Sequence, residues 1–243
     1  MESKRNERLS RLRVAVCAAC KRLPSAGLVV GHAGNVSGID RAAGRVVIKP
    51  SGIDYDLLQP EDLVEVDLAT GAVVDGDLRP SVDLPHHLFL YRNLPEIGGV
   101  VHTHSTYATA FAIQERAIPV CCTGIADVFG GEIPCAPYAD NVADHIGRAI
   151  LATIRVAPAV LLAKHGVFCW GSSVAKAIYH AEQVEQAART VHLAMQLGPV
   201  QSLSQAQVAM WNDRFQHRYG QVRNEPTVGS AAMNLPTMAS VEE

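Results

Sequence analysis

The histidine pair behind an apolar run is the feature that most constrains this chain. The run from Ile97 to Val101 is typical of a buried strand, and His102 and His104 follow it two positions apart. Because side chains alternate across a strand with a period of two, both imidazoles point to one face. A lone buried histidine is more often a structural residue, but two in register at a strand end can bind one metal ion.

Two further donors are candidates for the same site. His165 also ends an apolar strand and is followed by a glycine, and Asp83 begins a predicted helix just before the His102 strand. Three imidazoles with one carboxylate suit a divalent metal, and zinc is the natural choice for imidazole-rich ligation. His86 and His87 are competing candidates, although their place inside the predicted helix favours structural or surface roles.

Composition excludes several classes of function. The chain has 243 residues, of which 48% are hydrophobic and 19% charged, a balance that favours one compact globular domain. A net charge of −3 gives no reason to expect a nucleic-acid partner. We expect neither a signal peptide nor a membrane span. The cysteines lie mostly in apolar surroundings, which favours buried thiols in a reducing cytoplasm, and the Cys17-x-x-Cys20 spacing is interpreted in the same way.

Glycine-rich turns form a second group of candidates. Turns that present backbone N–H groups, and helix N-termini, favour anions such as phosphate. Each turn by itself could be ordinary, but three of them with one lysine, beside a predicted metal site, favour a phosphorylated substrate. The residues are Gly34, Asn35, Lys49, Ser51, Gly52 and Ser81.

The remaining periodicity predicts one α/β domain. Helices are predicted at 5–22, 107–114, 140–154, 173–197 and 204–219. Strands are predicted at 45–49, 63–67, 72–74 and 159–166, with a short one at 119–122. The strands at 63–67 and 72–74 are predicted to form a hairpin. Residues 222–243 hold few large apolar groups and are expected to form a flexible C-terminal tail behind a domain at 1–221.

Several local motifs make the sequence recognisable. It resembles the class II aldolase/adducin family over roughly residues 8–221, and within that family it is most similar to the L-ribulose-5-phosphate 4-epimerases. The motifs that carry the resemblance are Gly34-Asn35-Val36-Ser37, residues 48–55, Pro80-Ser81-Val82-Asp83, residues 98–109, Ala126-Asp127, Lys164-His165-Gly166 and Tyr219-Gly220-Gln221.

The resemblance implies a fold, an assembly and a set of site residues. The fold is a single three-layer α/β/α domain with a central, mostly antiparallel sheet, and the assembly is a homotetramer with active sites at subunit interfaces. The implied acid/base pair is Asp127 and Tyr219, the tyrosine coming from a neighbouring subunit. The implied ligands of Zn²⁺, or of another divalent metal, are Asp83, His102, His104 and His165, and the implied phosphate contacts are Gly34, Asn35, Ser51, Gly52, Ser81 and Val82, with Lys49 in the same pocket.

The implied function is a zinc-dependent 4-epimerase that acts on a ketose phosphate by retro-aldol cleavage and re-addition. Zinc would stabilise the negative charge that forms when the carbon–carbon bond breaks. A carboxylate and a phenol would accept a proton from the C4 oxygen on one side and donate a proton to it on the other. The alternatives are a fuculose- or rhamnulose-phosphate-like class II aldolase, whose pattern residues 134–139 resemble, and a decarboxylase of sugar-acid phosphates.

Three positions depart from the family's patterns. Aldolases usually carry a glutamate, which is their acid/base, where Asp83 stands, and this difference favours the epimerase. Val82 replaces a serine, and Ile125 replaces a histidine of the epimerases.

Overall fold

A computed structural model describes residues 2–220, which form one eight-stranded sheet covered by seven α-helices. The predicted tail at 222–243 lies outside the described residues, as does Gln221. The strands are β1 (Asn35–Asp40), β2 (Arg45–Ile48), β3 (Val64–Asp67), β4 (Val73–Asp75), β5 (Gly99–Thr103), β6 (Cys135–Ala136), β7 (Ala159–Leu162) and β8 (Gly166–Gly171). The helices are α1 (Glu2–Ser25), α2 (Leu84–Asn93), α3 (Thr106–Ile113), α4 (Thr123–Phe129), α5 (His145–Thr153), α6 (Val174–Leu197) and α7 (Gln205–Arg218), with a short 3-10 helix at Pro60–Asp62.

The sheet is mostly antiparallel, as predicted. Its strand order is β4-β3-β2-β1-β5-β8-β7-β6, and only the β6–β7 pair among these described strands is parallel. The register of the central strands sets His102 of β5 opposite Asn35 of β1 on one side and opposite Phe168 of β8 on the other. Directly opposed residues share a face of the sheet, so this row of side chains faces one layer of helices.

Helices cover both faces of the sheet, which confirms the three-layer α/β/α arrangement. Val101 and Val167 pack into the core that the sheet shares with α1, α3, α4, α6 and α7. Their neighbours Val100 and Phe168 pack into the opposite core, which α2 and α5 complete. Strands β7 and β8 are therefore continuously apolar in sequence because they are buried on both faces.

Two long helices begin where the sequence predicts. The hydroxyl of Ser173 accepts a hydrogen bond from the backbone of Lys176 at the start of α6. Ser204 and Gln207 form the predicted capping box at the start of α7. Among the described residues no helix is both long and apolar enough to cross a membrane.

Besides the strand predicted at 159–166, which ends at Leu162, two local predictions were wrong. The segment 119–122 forms no strand; instead Ile118 pairs with Ile133 in an isolated bridge, next to Pro119, which has no N–H to continue a ladder. The helix predicted from residue 140 begins only at His145. Asp140 instead accepts a hydrogen bond from the backbone of Val142, which favours a turn.

Candidate metal and phosphate site

His102 and His104 face the α2 side of the sheet at the end of β5. The His102 ring stacks on Phe168 of the neighbouring strand, with 4.4 Å between ring centroids. His104 lies just beyond the last residue of β5 and keeps the same direction, so its ring centroid is 4.8 Å from that of His102. The two-residue spacing therefore has the consequence that strand geometry predicts.

His165 comes from a turn, not from a strand end as the sequence predicted. The apolar run splits at Leu162, and Lys164 adopts a left-handed backbone with φ 61° before β8 returns antiparallel. Gly166 makes this turn fit, because a Cβ there would lie 2.4 Å from the carbonyl oxygen of Thr103 and 2.7 Å from the His104 ring. Absence of a side chain at this position thus lets the turn press His165 against the end of β5.

The three imidazoles converge on one point. One nitrogen from each of His102, His104 and His165 lies within 4.8 Å of the others, and the Nε2 atoms of His102 and His104 are 3.0 Å apart. The Nδ1 atom of His102 is 3.0 Å from the carbonyl oxygen of Val167, so it donates there and leaves the Nε2 lone pair free.

The imidazoles are also in the protonation state that ligation needs. Burial lowers the pKa of His102 to about 3 and also lowers the pKa values of His104 and His165. Neutral rings with lone pairs aimed at one point fit a divalent metal. The geometry therefore suits the predicted ligand set.

Asp83 lies beside this cluster at the start of α2. Its Oδ2 atom is 4.0 Å from Nε2 of His102 and accepts a hydrogen bond of 2.7 Å from the Asn35 amide, while its Oδ1 atom accepts one of 2.9 Å from the Asn141 amide. Burial opposes ionisation of Asp83, whereas the hydrogen bonds from both amides favour the carboxylate, and its pKa lies below the usual value. The carboxylate is therefore held ionised and oriented.

The predicted phosphate turns form the other wall of the same cavity. Pro50 and Pro80 pair in a β-bridge, in which Ser51 donates its N–H to Arg79 and Ser81 donates its N–H to Lys49. The cavity has a volume of about 210 Å³. All the predicted metal and phosphate residues line it: Gly34, Asn35, Lys49, Ser51, Gly52, Ser81, Val82, Asp83, His102, His104 and His165.

Lys49 is the buried cation of this cavity. Its side chain is 1% exposed, its ammonium donates to the carbonyl oxygen of Pro50 at 3.2 Å, and it lies 4.6 Å from the centre of the Tyr55 ring. Within residues 2–220 no carboxylate lies within salt-bridge distance of Lys49, and burial lowers its pKa. A buried ammonium without an acidic partner favours an anionic ligand.

Asn35 and Val82, two of the predicted phosphate contacts, differ in what their side chains can offer a phosphate. The side-chain amide of Asn35 already donates to Asp83, and its Oδ1 atom is buried without a partner. That oxygen is an acceptor, so it suits a substrate hydroxyl better than a phosphate. Val82 is 68% exposed at the cavity mouth and has no hydroxyl to donate.

Asp127 and Tyr219 do not line this cavity within one chain. Asp127 lies on α4, where its backbone oxygen accepts a hydrogen bond of 2.9 Å from Asn212 of α7. Tyr219 follows α7, is 69% exposed and stacks on Phe215 with 5.2 Å between centroids. Because α4 and α7 pack against each other and Tyr219 directly follows α7, Asp127 and Tyr219 belong to one α4–α7 surface.

The competing histidines and cysteines have structural surroundings. His86 and His87 are fully buried, and Nδ1 of His87 lies 2.7 Å from the Ser37 hydroxyl. Cys17 and Cys20 are buried free thiols in α1. These observations agree with the structural interpretation of both pairs.

Asn141 is a site residue that the sequence analysis missed. It lines the cavity and hydrogen bonds to Asp83, although it belongs to the loop between β6 and α5. An asparagine in a polar loop is unremarkable in sequence, because its role depends on how the loop folds back over the site. No local pattern indicates that fold.

The α/β/α fold thus places three converging imidazoles beside a cavity that contains a buried lysine. The sequence matches the Class II Aldolase and Adducin N-terminal domain over residues 14–192, and the chain belongs to this family. Its members are generally carbon–carbon lyases of carbohydrate metabolism that depend on a divalent metal.

Solved structures show the same relationship. An L-fuculose 1-phosphate aldolase is 30% identical, with a TM-score of 0.77 over 85% of this chain and 96% of that one. YgbL from Escherichia coli, whose reaction is given only as aldolase/epimerase/decarboxylase, is 28% identical, with a TM-score of 0.73 over 84% of this chain and 99% of that one. The L-fuculose-1-phosphate aldolase from Thermus thermophilus is 26% identical, with a TM-score of 0.65 over 79% and 99% of the two chains.

Proposed function

We propose that this protein is a zinc-dependent sugar-phosphate epimerase that breaks and re-forms a carbon–carbon bond, with L-ribulose 5-phosphate as its substrate. The observation that carries the proposal is the pairing of Asp83 with the three imidazoles beside a cavity that holds one buried cation. Such a site accepts a metal ion and a small phosphorylated molecule side by side.

His102, His104, His165 and Asp83 are the proposed metal ligands. A divalent ion held there would supply Lewis-acid chemistry, which stabilises the negative charge formed when a bond next to a carbonyl breaks. The chain's own contribution is to keep the rings neutral and the carboxylate ionised. The hydrogen bond from His102 to the Val167 carbonyl orients the ring, and the hydrogen bonds from two side-chain amides favour the ionised form of Asp83.

Lys49 and the turns at Ser51 and Ser81 are the proposed phosphate contacts. The buried ammonium offers a charge, and Ser81 offers a hydroxyl whose oxygen already accepts from the backbone of Asp83 at 3.3 Å. A phosphate bound here would gain charge-assisted hydrogen bonds. The substrate would thereby be held by one end, with its carbonyl end directed toward the imidazoles.

Asp83 favours epimerisation over simple aldol cleavage. Both of its oxygens accept hydrogen bonds and its pKa is lowered, so it is poorly suited to shuttle a proton near neutral pH. Proton transfer to the C4 oxygen then falls to other groups. Asp127 and Tyr219 are our candidates, as acceptor and donor on opposite faces of a rotated aldehyde.

This assignment requires a second subunit. Because the pair lies on the α4–α7 surface away from its own chain's cavity, we propose a homotetramer in which a neighbour brings these groups to each site. We also propose a domain at 1–221 with a C-terminal tail at 222–243. The free thiols of all six cysteines favour the cytoplasm.

An aldolase of the fuculose-phosphate type is the second candidate. The 30% identity to an L-fuculose 1-phosphate aldolase and the segment 134–139 favour it. A related decarboxylase of sugar-acid phosphates would use the same metal and phosphate groups.

The deciding experiment presents zinc-loaded enzyme with L-ribulose 5-phosphate and, separately, with L-fuculose 1-phosphate. We expect D-xylulose 5-phosphate from the first. Free dihydroxyacetone phosphate with an aldehyde from the second, without isomer from the first, would select the aldolase, and carbon dioxide from a sugar-acid phosphate would select the decarboxylase. Full zinc occupancy without any of these products would end the proposal.

A further inference from the structure

The loop at residues 137–144 connects β6 to α5 and reaches the cavity through one amide. Asn141 donates from Nδ2 to Oδ1 of Asp83 at 2.9 Å, and its own Oδ1 lies 2.5 Å from Nε2 of His86. The neighbouring bonds of Asp140, to the backbone of Val142 and to the His145 ring, stay close in sequence. Asn141 therefore makes the side-chain hydrogen bonds that tie this loop to α2.

Chemistry fixes the direction of this hydrogen-bond chain. An ionised carboxylate only accepts hydrogen bonds, so the NH₂ group of Asn141 must face Asp83 and its oxygen must face His86. His86 must then carry its proton on Nε2, and its Nδ1 atom is left buried without a partner. Every donor in the chain points toward Asp83.

Two members of this hydrogen-bond chain differ in burial. His86 is fully buried in α2, whereas Asn141 as a whole residue is exposed. A buried donor is costly to leave unpaired, so His86 favours the rotamer of Asn141 that points into the cavity. The exposed loop is in this way anchored to a buried group.

We propose that Asn141 is a positioning residue that holds the Asp83 carboxylate in the orientation needed for metal binding, and that His86 acts through it. This inference rests on the proposed metal site. Partners that orient a metal ligand typically change metal affinity by about 10- to 100-fold when they are lost.

The test measures zinc affinity by competition with a chromophoric chelator. Asn141→Ala and His86→Leu should each weaken zinc binding, the first by about 10- to 100-fold. His86→Gln, which keeps an N–H donor, should restore most of the affinity. The double variant should bind no more weakly than Asn141→Ala alone, because the effect of His86 passes through the amide.

The matched control is Asn93→Ala, at the end of α2, the helix that carries His86. It removes an exposed side-chain amide that donates to the backbone oxygen of Phe89. It should leave zinc affinity unchanged. Hydrogen exchange in zinc-free protein gives a second readout, in which residues 137–144 should exchange faster in Asn141→Ala than in the control. Asn141→Ala changes an exposed position, so it remains informative if His86→Leu does not fold.

The outcomes separate the two proposals. A folded Asn141→Ala protein with wild-type zinc affinity would overturn the positioning role while leaving the proposed function intact. If the losses of zinc affinity add up in the double variant, His86 does not act through Asn141. Wild-type protein that binds no stoichiometric zinc would overturn the proposed function and this role together, whereas zinc binding without any turnover would overturn the proposed function alone.

Discussion

The cavity at the end of β5 and the surface between α4 and α7 differ in how completely one chain builds them. In the cavity, the imidazole of His102 is 1% exposed and the Asp83 carboxylate has two amide partners. On the α4–α7 surface, Tyr219 is 69% exposed and makes an aromatic contact with Phe215. Both regions carry predicted catalytic residues, but only the first is already assembled.

This difference shows what a single chain can specify. Sheet register fixes part of the cavity, because it sets Asn35 directly opposite His102. The α4–α7 surface has no such constraint on what lies opposite it. Under the proposed mechanism, metal binding should therefore survive in isolated chains, whereas proton transfer should require assembly.

Removal of a cavity imidazole should have the largest effect. His104→Ala should lose zinc. Its turnover should fall by far more than the roughly 100-fold loss expected when a residue that only orients a metal ligand is removed. The fold should persist because His104 lies beyond the end of β5 and belongs to neither hydrophobic core. Metal analysis, circular dichroism and turnover would check this, and normal zinc content with normal turnover would refute the ligand assignment.

Changes on the α4–α7 surface should separate turnover from metal binding. Tyr219→Phe and Asp127→Asn should each lower kcat by about 10²- to 10⁴-fold, the usual contribution of a general acid or base. Zinc content should stay at the wild-type level, since neither residue lines the cavity of its own chain. Mixing the Tyr219→Phe protein with His104→Ala protein should restore partial activity if a neighbour supplies the tyrosine; no restoration in mixed tetramers would contradict the shared site.

Loss of the buried cation should weaken substrate binding more than chemistry. Lys49→Met removes a charge-assisted bond worth about 1.5–3 kcal/mol, which corresponds to about a 10- to 150-fold rise in KM. Lys21→Met, at an exposed position of α1, is the control. Steady-state kinetics with a phosphorylated sugar and its unphosphorylated analogue would test the role, and an equal change with both substrates would argue against a phosphate contact.

Acid should destabilise the cavity side of the zinc-free protein. Burial lowers the pKa values of His87 and His102 to about 3, against about 6.5 in an unfolded chain. The unfolded state thus binds more protons between these values, so stability present above pH 6.5 is lost toward pH 3, by up to about 1.4 kcal/mol per pH unit for each histidine. Urea unfolding across this range should show the loss, and His87→Gln should reduce the slope; a flat profile would contradict the prediction.

Sequence reasoning succeeded where spacing alone determines geometry. The His102 and His104 spacing, the capping box at Ser204 and the continuous apolar strands all depend on neighbours within a few residues. The predicted elements made His165 and Asp83 candidates for the same site, and the family resemblance added support that local spacing cannot give.

The misses have a common physical origin in longer-range context. The turn at His165 uses Lys164 in a left-handed conformation, which lysine rarely adopts and no local pattern predicts. Helix α4, with seven residues, is too short to show a clear period. Asn141 acquires its role from a loop path that only the folded core fixes.

Gly166 has a consequence for how this scaffold can diversify. Because its missing side chain leaves room for both the strand pairing and the imidazoles, even a methyl group there would disturb the two together. New chemistries on this framework should therefore arise through exchange of ligand side chains or of the loop at 137–144, with the sheet beneath inherited unchanged. Lineages that abandon catalysis can then keep the architecture and lose only the rings that it presents.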